Sequence, residues 1–133
     1  MCKNTRMDIL LYDESGQISD RLVELAEGNE EMRNFYKATG EFEAIDLVVA
    51  HKPGLAILHF RFANTRSAAL LQKIKLCSEA TRVILLFDLA DEYDITLFNI
   101  HNSDYVLDTY KDFEKIPGLI SDICRKTKRT DYT

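Results

Sequence analysis

The chain has 133 residues, one domain's worth, and a chain of that size buries about two-thirds of the surface its unfolded form exposes. Its 46% hydrophobic and 29% charged content is ordinary for a globular protein, while a net charge of −5 argues against a general binder of nucleic acid or anionic membrane, because such binders gather cations against phosphate. No apolar run approaches the ~20 residues a transmembrane helix requires. The opening MCKNTRMDILLYDE does not couple a basic start to a long apolar stretch, so a cytoplasmic location is expected.

Two hydrophobic periods alternate along the chain. Ile9-Leu10-Leu11-Tyr12, ending in Asp13-Glu14, predicts a buried strand emerging into solvent. Ile18, Leu22, Val23, Leu25 and Ala26 follow helical spacing, started by Ser15 and stopped at Gly28. A short strand is expected around 34–38. Phe42, Ile45, Val48 and Val49 form the next helical stripe, closed at Lys52-Pro53 because proline disfavours helix in the residue before it. Residues 55–60 are the third strand, and Leu70, Leu71, Ile74 and Cys77 line the helix after it. Val83-Ile84-Leu85-Leu86-Phe87 is the most hydrophobic run and is expected at the centre of a sheet covered on both faces. Tyr93, Leu97 and Ile100 predict a fourth helix, Tyr105-Val106-Leu107 a fifth strand, and Leu119, Ile120 and Ile123 a last helix starting near Pro117.

Five such units imply a five-stranded parallel, doubly wound α/β sheet, since each parallel strand needs a right-handed crossover. One domain over residues 1–126 is expected, with 127–133 a tail or the start of a linker; the basic stretch from Arg125 carries no apolar pattern. In such sheets function sits outside the carboxyl ends of the strands. The residues there are Asp13 and Glu14, His59, Phe87 and Asp88, and Asp108.

This order, carried by "ILLYDES", "KPGLAILHF", "TRVILLFDL" and "SDYVLDTY", resembles the receiver domain of two-component response regulators over residues 7–126. The resemblance implies a flavodoxin-like, three-layer (βα)5 sandwich and a pocket of fixed composition. That pocket holds an acidic pair for Mg²⁺, a phosphate-accepting Asp, a Thr or Ser followed by a small residue, and a Lys followed by Pro. Asp13 and Glu14 match the acidic pair. His59 stands in place of the acceptor, Phe87 of the hydroxyl residue, Asp88 of the small one, Asp108 of the Lys and Thr109 of its Pro.

Each departure has a chemical consequence. An acyl phosphate needs a carboxylate nucleophile and a cation on the phosphoryl oxygens. His59 cannot form one, Asp108 repels the phosphoryl group, and Phe87 has no hydrogen bond to offer it. Tyr105 falls at the family's aromatic switch position. The expectation is a degenerate pseudo-receiver, not phosphorylated on aspartate and not an enzyme, acting by protein–protein interaction.

Three readings of His59 stay open. It is a structural residue paired with whichever of Asp13, Glu14, Asp88 or Asp108 is nearest, its pKa raised by converging carboxylates. Alternatively it ligates a divalent metal with Asp13 and Glu14, making a metal- or small-ligand-responsive switch. Or it is itself phosphorylated, or senses pH. By the resemblance, a protein partner or second copy would use the face of the fourth helix, fifth strand and fifth helix, with Tyr93, Tyr105 and Tyr110 as exposed aromatics. The acidic run at 90–94 suits the first turn of a helix.

The remaining chemistry-bearing residues read as structural. His51 and His101 sit at helix ends, and Cys2, Cys77 and Cys124 have no ligand spacing. "SGQ" and "PGL" make neither GxGxxG nor GxxxxGK, so no nucleotide fingerprint is present. The first loop, Asp-Glu-Ser-Gly, is too acidic for the phosphate loop of a flavodoxin-type redox domain.

Overall fold

A computed structural model describes residues 7–61, 65–88 and 105–131, with side chains through Arg125. Its elements are β1 (Met7–Asp13), α1 (Ser19–Glu27), β2 (Met32–Ala38), α2 (Glu41–His51), β3 (Leu55–Phe60), α3 (Thr65–Cys77), β4 (Arg82–Phe87), β5 (Tyr105–Asp108) and α4 (Ile116–Asp131). A short 3-10 turn, Phe113–Lys115, leads into α4. The expected fourth helix, with Tyr93, Leu97 and Ile100, lies outside the described residues, as do the acidic run at 90–94, His101 and Cys2.

The five strands form one parallel sheet in the order β2-β1-β3-β4-β5. The chain therefore winds outward in both directions from the β1/β3 boundary, the switch point at which such sheets carry their sites. β3 is central, and β4, expected there, is second from the edge. Strand hydrophobicity does not rank these positions, because β1 and β3 are as fully buried on both faces as β4.

Alternation along the strands divides the core. Tyr12, Leu58, Phe60, Leu85 and Phe87 pack with Ala44 and Val48 of α2 and Leu71 and Ile74 of α3. Leu11, Ile57 and Leu86 face the other way, onto Leu22 of α1 and Ile116, Ile120 and Ile123 of α4. On the first face an aromatic row crosses the strand ends. The Phe60 ring lies 5.6 Å from that of Tyr12 and 5.9 Å from that of Phe87.

The helices differ from expectation in three places. α1 begins at Ser19 rather than beside Ser15, because the intervening residues wrap around the Asp13 carboxylate. α2 buries Ala44 and Val48, whose small side chains let the helix sit close to the sheet. Phe42 and Val49, expected in the core, are 87% and 53% exposed. α4 continues to Asp131, so most of the expected tail extends the helix. The α2 end does fall at Lys52, which takes a left-handed conformation (φ 44°) before Pro53 and donates its N–H to Val48 O.

Phe60→Ala would remove the middle ring of the aromatic row and leave a cavity between Tyr12 and Phe87. The expected cost is about 3–5 kcal/mol, read as a lower urea midpoint with an unchanged slope.

Candidate functional site

Three adjacent strands deliver one side chain each to a single spot on the α1/α4 side. Asp13 ends β1 and pairs in register with His59 on β3. His59 pairs with Leu86 on β4, and Phe60 with Phe87. The period of two that sends Leu11, Ile57 and Leu86 into this layer sends Asp13, His59 and Asp88 there as well. Asp88 follows β4 directly and is tied back by its N–H to Phe60 O at 3.3 Å.

His59 is 1% exposed, and both of its ring nitrogens meet carboxylates. Nδ1 lies 2.7 Å from Asp13 Oδ1, and Nε2 lies 2.7 Å from Asp88 Oδ1. An ionised carboxylate only accepts, so both contacts are hydrogen bonds only if both ring nitrogens donate, and that species is the imidazolium. Burial by itself pushes the His59 pKa down. The hydrogen bonds to Asp13 and Asp88 and their charges outweigh it, leaving the imidazole above its ordinary value of 6.5.

Asp13 is the better-held partner, with side-chain exposure of 2% against 16% for Asp88. Its Oδ1 also accepts from Ser15 N–H at 3.2 Å and Ser15 Oγ–H at 3.0 Å. Its Oδ2 accepts from Ile18 N–H at 3.1 Å and Ser19 Oγ–H at 2.8 Å. Burial favours the neutral acid, but the His59 and Ser19 hydrogen bonds, the imidazolium charge and the Ser15 hydrogen bond prevail. The carboxyl is held well below the usual carboxylate range. The same bonds hold the turn that leads into α1, the Ile18 N–H just before the helix donating to Asp13.

The other strand-end residues do not join this group. Glu14 is exposed, its N–H donating to His59 O at 3.3 Å and its Oε1 accepting from Arg61 N–H at 3.5 Å. Phe87 is fully buried on the opposite face, in the aromatic row. Asp108, expected among converging carboxylates, turns into its own loop. Its Oδ1 accepts from the N–H groups of Tyr110 and Lys111, each at 2.9 Å. This is the ordinary local turn of an aspartate, which competes with any long-range role. Of the four carboxylates expected there, Asp13 and Asp88 face the imidazole.

The expected metal set of Asp13, Glu14 and His59 is not assembled. Glu14 Oε1 accepts from Arg61 N–H, Asp13 has donors on both oxygens, and both nitrogens of His59 are engaged. Among the described residues no group of three or more His, Cys, Asp or Glu is arranged to hold a metal ion. Tyr105 is half-buried against the α1/α4 layer and Tyr110 is 66% exposed. Tyr93 lies outside the described residues. His51 stacks on Tyr36 with ring centroids 4.1 Å apart, and neither Cys77 nor Cys124 is in a disulfide among the described residues.

Sequence reasoning missed Ser15 and Ser19, whose spacing of two and six after Asp13 is the trace of a carboxylate-centred loop. It also missed Asp8 at the opposite end of the sheet, which takes Arg33 Nε–H at 2.9 Å and its second guanidinium nitrogen at 3.0 Å. The Arg33 and Asn34 hydrogen bonds lower the Asp8 pKa against its partial burial.

A pH dependence follows from these shifts. His59 is raised above 6.5, so its contribution is complete below that value and is lost as pH rises through the higher folded value. Asp13 is lowered below 3.8, so its contribution is complete above that value and is lost as pH falls through the lower folded value. Urea midpoints should therefore be highest between these limits and decline on the alkaline side. His59→Leu, which leaves both carboxylates facing an apolar side chain, should cost about 3 kcal/mol at neutral pH and abolish the alkaline decline.

No protein-family model matches the chain, and no curated protein matches it in sequence. Solved structures do match. The response regulator domain of Thermotoga maritima CheB superposes with a TM-score of 0.69 at 19% identity, covering 91% of this chain and 95% of that one. A two-component transcriptional regulator AraC from Clostridium phytofermentans ISDg gives 0.74 at 14% identity over 95% and 98%. The REC domain of AraT, a response regulator from Geobacillus stearothermophilus, gives 0.70 at 16% over 94% and 98%. At these identities the likeness is one of architecture: the chain has the fold of a response regulator receiver domain, with a histidine held between two aspartates at its strand ends.

Proposed function

We propose that this chain is a receiver-like signalling module that is not phosphorylated on aspartate and that acts by contact with a protein partner. The observation that carries the reading is the occupancy of His59. The residue matching the family's acceptor cannot form an acyl phosphate, and both its nitrogens are already hydrogen-bonded to carboxylates. The acidic residue that best matches a Mg²⁺ ligand, Asp13, is saturated by His59, Ser15, Ile18 and Ser19. A phosphoryl group arriving at this spot would meet Asp13 and Asp88, with Asp108 standing where the family places its lysine, and like charges repel. The receiver fold itself suggests a role in signal transduction, and no helix among the described residues is long and apolar enough to cross a membrane. A metal- or ligand-responsive switch is the weaker alternative, since a ligand would have to break the hydrogen bonds of His59 to reach it.

Incubation with acetyl phosphate and Mg²⁺ should leave the intact mass of the protein unchanged. A stoichiometric phosphoryl adduct would defeat the proposal. Melting temperatures should likewise not respond to Mg²⁺, Mn²⁺ or Zn²⁺, because only a ligand that prefers the folded state raises them. A rise that vanishes in His59→Ala would favour the switch.

A further inference from the structure

The most exposed large apolar side chains among the described residues are Phe42 on α2, at 87%, and Leu76 on α3, at 85%. They belong to stripes. On α2, Phe42, Ile45 and Val49 are spaced three and four apart, and on α3 Ala69 and Leu76 are seven apart, two turns along one line. Between the helices runs a groove of about 240 Å³ walled by Phe42, Ile45, Ala69 and Leu70.

Its rims are charged, and the two charges are separated. Glu41 and Asp46 come from α2, and Arg66 and Lys73 from α3. At one end Arg66 Nε lies 3.4 Å from Glu41 Oε1, so the two helices are level there. Both helices are crossovers between parallel strands, α2 from β2 to β3 and α3 from β3 to β4, packed on one face of the sheet, and therefore run in the same direction. From that level point Asp46 is about 7.5 Å further along α2 and Lys73 about 10.5 Å along α3, at 1.5 Å per residue. Neither Asp46 nor Lys73 has an ion-pair partner among the described residues.

We propose that this face associates with a second copy of itself, α2–α3 packed on α2–α3 about a two-fold axis that runs along the groove. That axis carries the α2 of one copy over the α3 of the other while keeping heights unchanged. The acidic rim then meets the partner's basic rim, with Asp46 facing the partner's Lys73 and the reverse. The exposed rings and methyls of Phe42, Val49 and Leu76 close over the two grooves. A two-fold axis across the groove would instead set acidic rim on acidic rim, so charge selects the first arrangement. The interface is isologous and closes at two copies. A face two helices wide and about 16–20 Å long is at the small end for protein interfaces, so the dimer should be weak and exchange with monomer.

Sedimentation velocity over a range of concentrations tests this. The wild type should pass from monomer to dimer. Phe42→Glu, at a solvent-exposed position, should weaken the dimer about tenfold or more with an unchanged far-UV spectrum, and Tyr110→Ala, away from this face, should not weaken it. Asp46→Lys and Lys73→Glu should each be monomeric alone, because each sets like charges opposite one another. Mixed in equal amounts they should dimerise again, because the heterodimer restores both pairs. The mixing arm decides the matter even if Phe42→Glu does not fold. A chain that stays monomeric at every concentration overturns the proposal and leaves the face to a different protein. So does a dimer lost in Tyr110→Ala but kept in Phe42→Glu, or a mixture of the two charge variants that fails to associate.

Discussion

One imidazole held between two aspartates is the constraint on which this strand-end architecture depends. A carboxylate as buried as Asp13 is costly without a partner, and removing one member of a buried pair leaves the other uncompensated. His59 supplies the partner, and its two nitrogens point in opposite directions, so it ties the end of β1 to the end of β4 across the central strand. The consequences extend into the backbone. With its carboxylate fixed by His59, Asp13 gathers Ser15, Ile18 and Ser19, and this holds the turn that leads into α1.

Much of the fold was legible because both faces of the sheet are covered. Continuous apolar runs such as Ile9–Tyr12 and Val83–Phe87 have few other destinations in a chain of this length. Strand order was less so, since burial on both faces looks alike in β1, β3 and β4. The α2 stripe was misread for a related reason. Hydrophobicity ranked Phe42 and Val49 above Ala44, but the distance between helix and sheet favours the small residue, and only the packed structure exposes that preference.

At the site, the strand period of two brought Asp13 and His59 together in prospect, because their positions follow from the strands themselves. The fate of Asp108 was not legible. An aspartate at a strand end has a local choice, the N–H groups two and three residues on, and here Tyr110 and Lys111 take it. Its neighbour Thr109 is buried with its hydroxyl oxygen unpartnered, a small polar cost at the same turn. Shared architecture with receiver domains at 14–19% identity therefore fixes the frame and not the chemistry. The chemistry lies in which strand-end residues face each other.

The protonation of His59 is the most direct point of attack. Long-range proton–nitrogen NMR on the folded protein reads each ring nitrogen separately. At about pH 7, where an unperturbed imidazole is mostly neutral, both nitrogens of His59 should carry protons, and the ring should titrate above 6.5. A neutral ring with one bare nitrogen at that pH, or a midpoint at or below 6.5, would contradict the clamp between Asp13 and Asp88.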